Sequence, residues 1–359
     1  MAFSNNFKIN KSKIGFDYPA YFIADIAANH DGDINRAVDL IYLAAEAGAN
    51  AAKFQHFQAN TIVSDFGFKS LNNSLLSHQS KWKKSVYDTY NEAEINLNWT
   101  DKLVEACKKA NIDFFTSPYS LELVDYIDKY VSAYKIGSGD ITWIEIIEYI
   151  ANKNKPVIIA CGASDLTDVD RAISSISNLN SDVALLQCNT NYTASLENFK
   201  FINLNVIDYL KNRYPNLILG LSDHTPGNVT VLGAIAKGAK IIEKHFTDDN
   251  ERNGPDHKFS MTPKTWKEMI LRSRELEASL GDGNKKIEKN EIETAVLQRR
   301  SICVKENSNI GKIIEPNDIV FLRPCPKDGI QPFEFKNVLG KKLINKKTKG
   351  EYIKWTDLE

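Results

Sequence analysis

The chain of 359 residues is short of every feature that would set it apart from an ordinary globular protein. It has no excess of either charge, since 45 Lys and Arg against 46 Asp and Glu leave a net charge of −1. A broad nucleic-acid or anionic-membrane surface is therefore not expected, although a local cationic pocket is compatible with that balance. It lacks long apolar runs; stretches such as 156–161 are strand-sized and far short of a membrane-spanning helix. Its start, Met-Ala-Phe-Ser-Asn-Asn-Phe-Lys, has neither the apolar centre nor the cleavage site of a signal peptide. With 18 glycines and 11 prolines it cannot be collagen-like or of low complexity. Cysteine is scarce and odd in number: Cys107, Cys161, Cys188, Cys303 and Cys325 form no closely paired motif. That pattern speaks against a disulfide scaffold and for a reducing, cytoplasmic compartment.

What is present is alternation. Short β-rich apolar runs begin at Tyr21–Ala27 and recur at Ala51–Gln55, Ile112–Ser117, Ala133–Ser138, Pro156–Gly162, Asp182–Asn189, Leu217–Thr225 and Lys240–Thr247. Most are continuously hydrophobic, as strands buried on both faces of a parallel sheet must be. Amphipathic helix patterns separate them, among them Asn35–Ala47, Asn96–Lys109, Leu121–Tyr130, Trp143–Lys153, Asp168–Ile176, Val206–Tyr214, Val229–Lys237 and Thr265–Leu280. A long stretch rich in Ser, Asn and Lys, 56–92, follows the second strand. Eight strand–helix units in about 260 residues match a (β/α)8 barrel, of the α/β class. An open doubly wound sheet has the same periodicity. The barrel is preferred because a Lys, His, Asp, Ser or Thr stands near the carboxyl end of nearly every strand, and only closure brings all those ends to one mouth. The expected organisation is a TIM-barrel domain over 1–281, a charged connector over 282–298 with a short helix near Glu291, and a small β-rich domain over 299–359. Its β pieces are Ser301–Val304, Ile319–Phe321 and Lys342–Ile344.

Three constellations carry chemistry. His224 and His245 end the last two barrel strands, where paired imidazoles near carboxylates suit a divalent Mn, Fe, Co or Zn ion. Lys53 and Lys135 each sit inside an apolar strand, and lysine is rarely buried without a partner. Either they face a concentrated anion, phosphate above all, with Thr116, Ser138 and Ser222 donating hydroxyls, or each pairs with Asp25, Asp140 or Glu243. Asp25, Asp140 and Asp256 could ligate, orient a sugar hydroxyl or move a proton, and the residues alone leave these roles interchangeable. Cys161 and Cys188 read as packing.

These motifs together resemble the sialic acid (nonulosonate) synthases. The resemblance rests on Phe22-Ile-Ala-Asp-Ile-Ala-Ala-Asn-His30-Asp-Gly, Lys53-Phe-Gln55, Phe115-Thr-Ser-Pro118, Lys135-Ile-Gly-Ser-Gly139, Ser222-Asp-His-Thr225, Glu243-Lys-His-Phe-Thr247 and Gly254-Pro-Asp-His257. The tail, from Arg299-Arg-Ser-Ile302 through Leu322-Arg-Pro324 to Gly329-Ile-Gln-Pro332, resembles their antifreeze-like (SAF) domain. The resemblance implies condensation of phosphoenolpyruvate with an N-acylated aldose, N-acetylmannosamine or a related diacetamido hexose, to a nine-carbon α-keto acid and phosphate. It implies a divalent metal, Mn2+ first with Mg2+ and Co2+ as alternatives, on His224 and His245. Phosphoenolpyruvate would meet Lys53, Thr116, Lys135, Ser138, Thr190 and Ser222. The sugar would meet Gln55, Asp140, Tyr192 and Asp256. Asp25 and Asp140, with the two histidines, would be catalytic. A domain-swapped homodimer would bring Arg323 of one copy to the barrel mouth of the other. The family usually has Glu where this chain has Asp25 and Asp140, and Arg-Pro-Gly-x-Gly-Ile where this chain reads Arg-Pro-Cys-Pro-Lys-Asp-Gly-Ile over 323–330. Those departures bear on the sugar rather than on the reaction. Other barrel carbon–carbon bond formers, such as a 3-deoxy-sugar-phosphate synthase or an aldolase, and a non-catalytic binding protein are the alternatives.

Overall fold

Each apolar run of the barrel region becomes one short strand, because a strand clothed on both sides needs apolar residues at every position. The computed structural model describes residues 3–71, 79 and 82–359. Two units are separated at Gly281/Asp282. The first opens with a hairpin, β1 (Asn6–Ile9) and β2 (Ser12–Gly15). The barrel strands follow as β3 (Tyr21–Asp25), β4 (Ala51–His56), β5 (Asp113–Pro118), β6 (Tyr134–Ile136), β7 (Val157–Ala160), β8 (Val183–Cys188), β9 (Ile218–Asp223) and β10 (Ile241–His245). All eight coincide with the runs expected from the sequence. They are parallel, and β10 pairs with β3, so the sheet curls round to join its own beginning. The ladder runs β5-β4-β3-β10-β9-β8-β7-β6, and the three-residue β6 packs beside β5 to complete the ring. Helices alternate with strands, and several start on side-chain caps: Asp33 accepts from the Asn35 N–H, Ser120 from that of Leu123, and Asp165 forms a capping box with Asp168.

Two apolar clusters divide the residues of each strand by parity. Phe22, Ala24, Ala52, Phe54, Phe114, Ile159, Leu185 and Ile242 pack outward under the helices. Tyr21, Ile23, Ala51, Phe115, Ile158, Leu186 and Ile241 fill the barrel axis. The hairpin joins this inner cluster through Phe7, Ile9 and Ile14. It went unforeseen because four-residue strands joined at Asn10 (φ +49) give too little periodicity to read. The described part of 56–92 forms helices Ala59–Ile62, Asp65–Ser70 and Val86–Ala93, while 72–78 and 80–81 lie outside the described residues.

In the second unit β11 (Ser301–Val304) pairs antiparallel with β12 (Ile319–Leu322). Around them Ile302, Val304, Ile314, Ile330, Val338, Leu343 and Ile353 form a core of their own. Lys342 and Leu343 of the expected strand 342–344 make only isolated bridges, to Ile313 and Leu358. The connector 282–298 groups with this unit and carries a helix at Ile292–Leu297.

Candidate active site

Register sets the inner face of the barrel at its carboxyl end. His245 of β10 stands beside Asp25 of β3, Asp25 beside Lys53 of β4, and Gln55 of β4 beside Ser117 of β5. Glu243 of β10 stands beside Ser222 of β9, which stands beside Cys188 of β8. All point to the axis, because they share the parity of the inner cluster. The two mouth lysines are both only 2% exposed. Lys53 Nζ lies 2.7 Å from Asp25 Oδ2 and 3.9 Å from Glu243 Oε2, and Lys135 Nζ lies 3.4 Å from Glu243 Oε1. Each lysine is therefore paired with an internal carboxylate, while the mouth still holds hydrogen-bonding capacity. Glu243 Oε2, Ser117 Oγ and His245 Nδ1 are buried without a partner among the described residues. A buried polar atom without a hydrogen-bond partner costs about 1–3 kcal/mol, and three of them meet at this mouth.

One expected residue is on the wrong face. Thr116 has the outward parity of Phe114, and its hydroxyl lies 2.7 Å from His56 Nδ1, whose Nε2 meets Thr100 Oγ1 at 3.0 Å. It belongs to the packing between sheet and helices and does not reach the mouth. The inward hydroxyl of that strand is Ser117, which the sequence reading passed over. The parity of Phe115, fixed by its pairing with Lys53, was the signal that would have found it. Ser138, Thr190 and Ser222 do converge. Ser138 Oγ accepts the Gly162 N–H at 3.0 Å, and Ser222 Oγ donates to Glu243 Oε1 at 3.2 Å. A Cβ on Gly162 would fall 1.9 Å from Thr190 Oγ1 and 2.9 Å from Cys188 Sγ, so glycine is required for these groups to meet. Cys188 is thus a lining group of the mouth rather than only packing, and Thr190 Oγ1 lies 3.7 Å from its sulfur.

The imidazoles of His224 and His245 lie with ring centroids 5.4 Å apart, and Tyr192 stacks edge-on 4.5 Å from His224. His224 Nδ1 is 3.0 Å from the Asn189 carbonyl, which fixes a proton there, and against burial the Cys188 sulfur and that carbonyl raise the His224 pKa. Burial, then His224 and Lys53, push the His245 pKa well below its usual value, so this ring is a neutral donor. Once deprotonated by metal binding, the two imidazoles would fit two positions of a divalent ion, His245 through a buried nitrogen without a hydrogen-bond partner among the described residues. No group of three or more His, Cys, Asp or Glu among the described residues is arranged to hold such an ion. Asp25 Oδ2 and Asp256 Oδ2 flank His245 at 3.6 and 3.8 Å. Gln55 Nε2 donates to Asp25 Oδ2 at 3.3 Å. Burial raises Asp256 to about 6, with the Ala28 N–H opposing and Asp25 adding. It raises Asp140 likewise to about 6, against Lys135. Asp140 sits in the turn Ser138–Asp140 that follows β6.

Above these groups opens a cleft with a cavity volume of about 100 Å³. Gln55, Tyr192, His245 and Asp256 form its floor, and Phe57, Trp82 and Tyr90 a wall that sequence reading did not foresee. The wall comes from 56–92, where no periodicity announced it. Arg323 is exposed in the second unit, just after β12.

A model described as the NeuB family matches residues 40–285, and one described as the SAF domain matches 299–359. The chain belongs to the NeuB family. It is 33% identical over 362 residues to the N,N'-diacetyllegionaminic acid synthase of Legionella pneumophila, covering 99% of each chain. It is 28% identical over 327 residues to the pseudaminic acid synthase of Helicobacter pylori, covering 90% of this chain and 93% of that one. Among solved structures it is similar to N-acetylneuraminic acid synthetase from Leptospira borgpetersenii. There the TM-score is 0.70 at 29% identity, over 82% of this chain and 96% of that one. This NeuB-family protein is accordingly an enzyme of the nonulosonic acid synthase class, a TIM barrel followed by an SAF domain. Among its described residues no helix is long and apolar enough to cross a membrane.

Proposed function

We propose that this NeuB-family enzyme condenses phosphoenolpyruvate with the open-chain form of an N-acylated aldose, N-acetylmannosamine or a diacetamido hexose. The carrying observation is that two ammonium groups and two imidazoles from β4, β6 and the ends of β9 and β10 surround one mouth beneath a cleft lined by Gln55, Tyr192 and Asp256. Lys53 and Lys135, with the hydroxyls of Ser117, Ser138, Thr190 and Ser222, hold the carboxylate and phosphate of phosphoenolpyruvate. Gln55, Tyr192, Asp140 and Asp256 hold the aldose, its aldehyde toward His245 and its far carbons toward Phe57 and Tyr90. A divalent ion, Mn2+ ahead of Mg2+ or Co2+, held by His224 and His245, supplies Lewis-acid polarisation of the aldehyde oxygen when bound.

With both substrates fixed in a water-poor mouth, the vinyl carbon of phosphoenolpyruvate bonds to the aldehyde carbon, and positive charge grows on the enol carbon. Water adds there, and the tetrahedral species expels phosphate to leave the nine-carbon α-keto acid. Asp25, between Lys53 and His245, is placed to move the proton that the added water gives up. Arg323 of a second copy completes the site in a homodimer, and the substrates place the enzyme in the cytoplasm. The test is phosphate release and product mass for a panel of N-acylated aldoses with phosphoenolpyruvate, with and without a chelator. Stoichiometric phosphate, a nine-carbon product and loss of turnover on chelation, restored by Mn2+, are expected. Absence of phosphate with every aldose overturns the reading.

A further inference from the structure

Asp256 stands 3.8 Å from His245 on the loop after β10, just before the short 3-10 turn His257–Phe259, where Asn250 Nδ2 donates to the His257 carbonyl at 2.9 Å. Its carboxylate accepts the Ala28 N–H at 3.3 Å, a long bond, and its carbonyl accepts from Ser260 Oγ at 2.6 Å. Its neighbour His257 is fully buried and held at both ring nitrogens. Nε2 lies 2.9 Å from Asp31 Oδ1 and Nδ1 lies 2.8 Å from Thr247 Oγ1. The carboxylate can only accept when ionised, so Nε2 carries a proton. Asp31 is itself clamped, with Arg36 Nε and Arg252 Nη2 each 3.0 Å from its Oδ2. The loop folds closely over the ring, since a Cβ on Gly254 would come within 2.6 Å of His257 Cδ2. Asn29 joins the same two loops by donating to Ser260 Oγ at 2.9 Å. Asp31 and His257 therefore fasten the loop after β10 to the loop after β3, and neither lines the cavity.

We propose that His257 and Asp31 are positioning residues: their bond sets where Asp256 stands over the aldose, and they act on the reaction only through it. This rests on the functional reading above, in which Asp256 faces the sugar. A clamp of this kind affects the aldose and spares phosphoenolpyruvate, whose ligands stand on other strands. A merely structural residue would weaken both.

The experiment compares His257→Leu, His257→Gln, Asp31→Asn and Asp256→Asn, and pairs them, measuring kcat and KM for the aldose and phosphoenolpyruvate affinity by calorimetry. His257→Leu is expected to lower kcat/KM for the aldose ten- to hundredfold, the scale of a small misplacement of a substrate contact. Phosphoenolpyruvate affinity should stay within twofold. His257→Gln, whose amide N–H can still reach Asp31, should recover most of the loss. In an Asp256→Asn background His257→Leu should cost less than a further twofold, because coupled residues are not additive. Equal losses toward both substrates, or full additivity with Asp256→Asn, overturn the proposal. Should His257→Leu not fold, the Gln and Asp31→Asn variants decide on the same criteria. A wild type that turns over every expected substrate alongside a flat variant series overturns this proposal alone; a wild type that releases no phosphate overturns the functional reading with it.

Discussion

Two buried ion-pair systems stand on opposite faces of the barrel sheet, the outer one on β9 and β10, the inner one on β3, β4, β6 and β10. On the outer face Lys244 contacts Asp223, the Thr225 carbonyl accepts from Lys244 at 2.6 Å, and the hydroxyls of Thr225 and Thr230 donate to Asp223 at 2.9 and 2.6 Å. Every strong donor there has a partner. On the inner face Lys53 and Lys135 share Asp25 and Glu243 over 2.7 to 3.9 Å, and Glu243 Oε2, Ser117 Oγ and His245 Nδ1 have none among the described residues. Both systems lie in the same poorly polarisable interior, where a completed network rigidifies and an incomplete one is costly. Buried charge therefore does not distinguish a binding face from a structural one. Between these two systems the difference is that, among the described residues, only the inner one leaves hydrogen bonds unmade.

The contrast is broken most directly with lysine substitutions. Lys135→Met should reduce phosphate release by at least about a thousandfold, through loss of charge stabilisation at the substrate. Its thermal midpoint should fall less than that of Lys244→Met, because Glu243 keeps Lys53 at 3.9 Å. Lys244→Met should do the reverse, lowering stability by about 3–5 kcal/mol because Asp223 is left buried and unpaired. Denaturant titrations read this directly, and a destabilisation below about 1 kcal/mol, or an unstable Lys135→Met with normal turnover, would erase the distinction.

Acid should also weaken the outer layer. Burial lowers His56 to about 4, so the folded chain prefers its neutral ring. That preference contributes fully above about pH 6.5 and is lost as the pH falls toward 4, because the unfolded chain takes up the proton first. About 2 kcal/mol should be gone by pH 5. His56→Gln should flatten the pH dependence of the melting temperature over that window.

The smallest effect sharpens the comparison within a single strand. Ser117→Ala should raise the KM for phosphoenolpyruvate about tenfold, the loss of one hydrogen bond to a charged ligand, and leave stability nearly unchanged. Thr116→Val should leave kinetics within twofold and cost about 1–2 kcal/mol, since His56 Nδ1 loses its partner. Steady-state kinetics and melting curves on this pair check which hydroxyl faces the mouth.

Much of this was readable before any coordinates. The eight strands and most helices follow from continuous apolar runs and 3.6-residue stripes, and His224 and His245 stand at strand ends as expected. What was not readable has particular causes. Thr116 and Ser117 are adjacent hydroxyls on one strand, and nothing local says which looks inward. Cys188 looked like one more buried apolar residue, yet it lines the mouth beside Thr190. Phe57, Trp82 and Tyr90 form a wall out of a stretch with no period, and the hairpin at 6–15 was too short to show one.

The sequence alone determined how many strand–helix units there are, where each strand lies, and that residues two apart along a strand share a face, because backbone geometry makes that periodicity local. Only the tertiary structure decided which of the two faces meets the axis and which residues of distant strands stand level. In a parallel barrel both faces are buried and both are apolar, so hydrophobicity cannot choose between them; the choice is made when Asp25, Lys53 and His245 come into register across strands far apart in the chain.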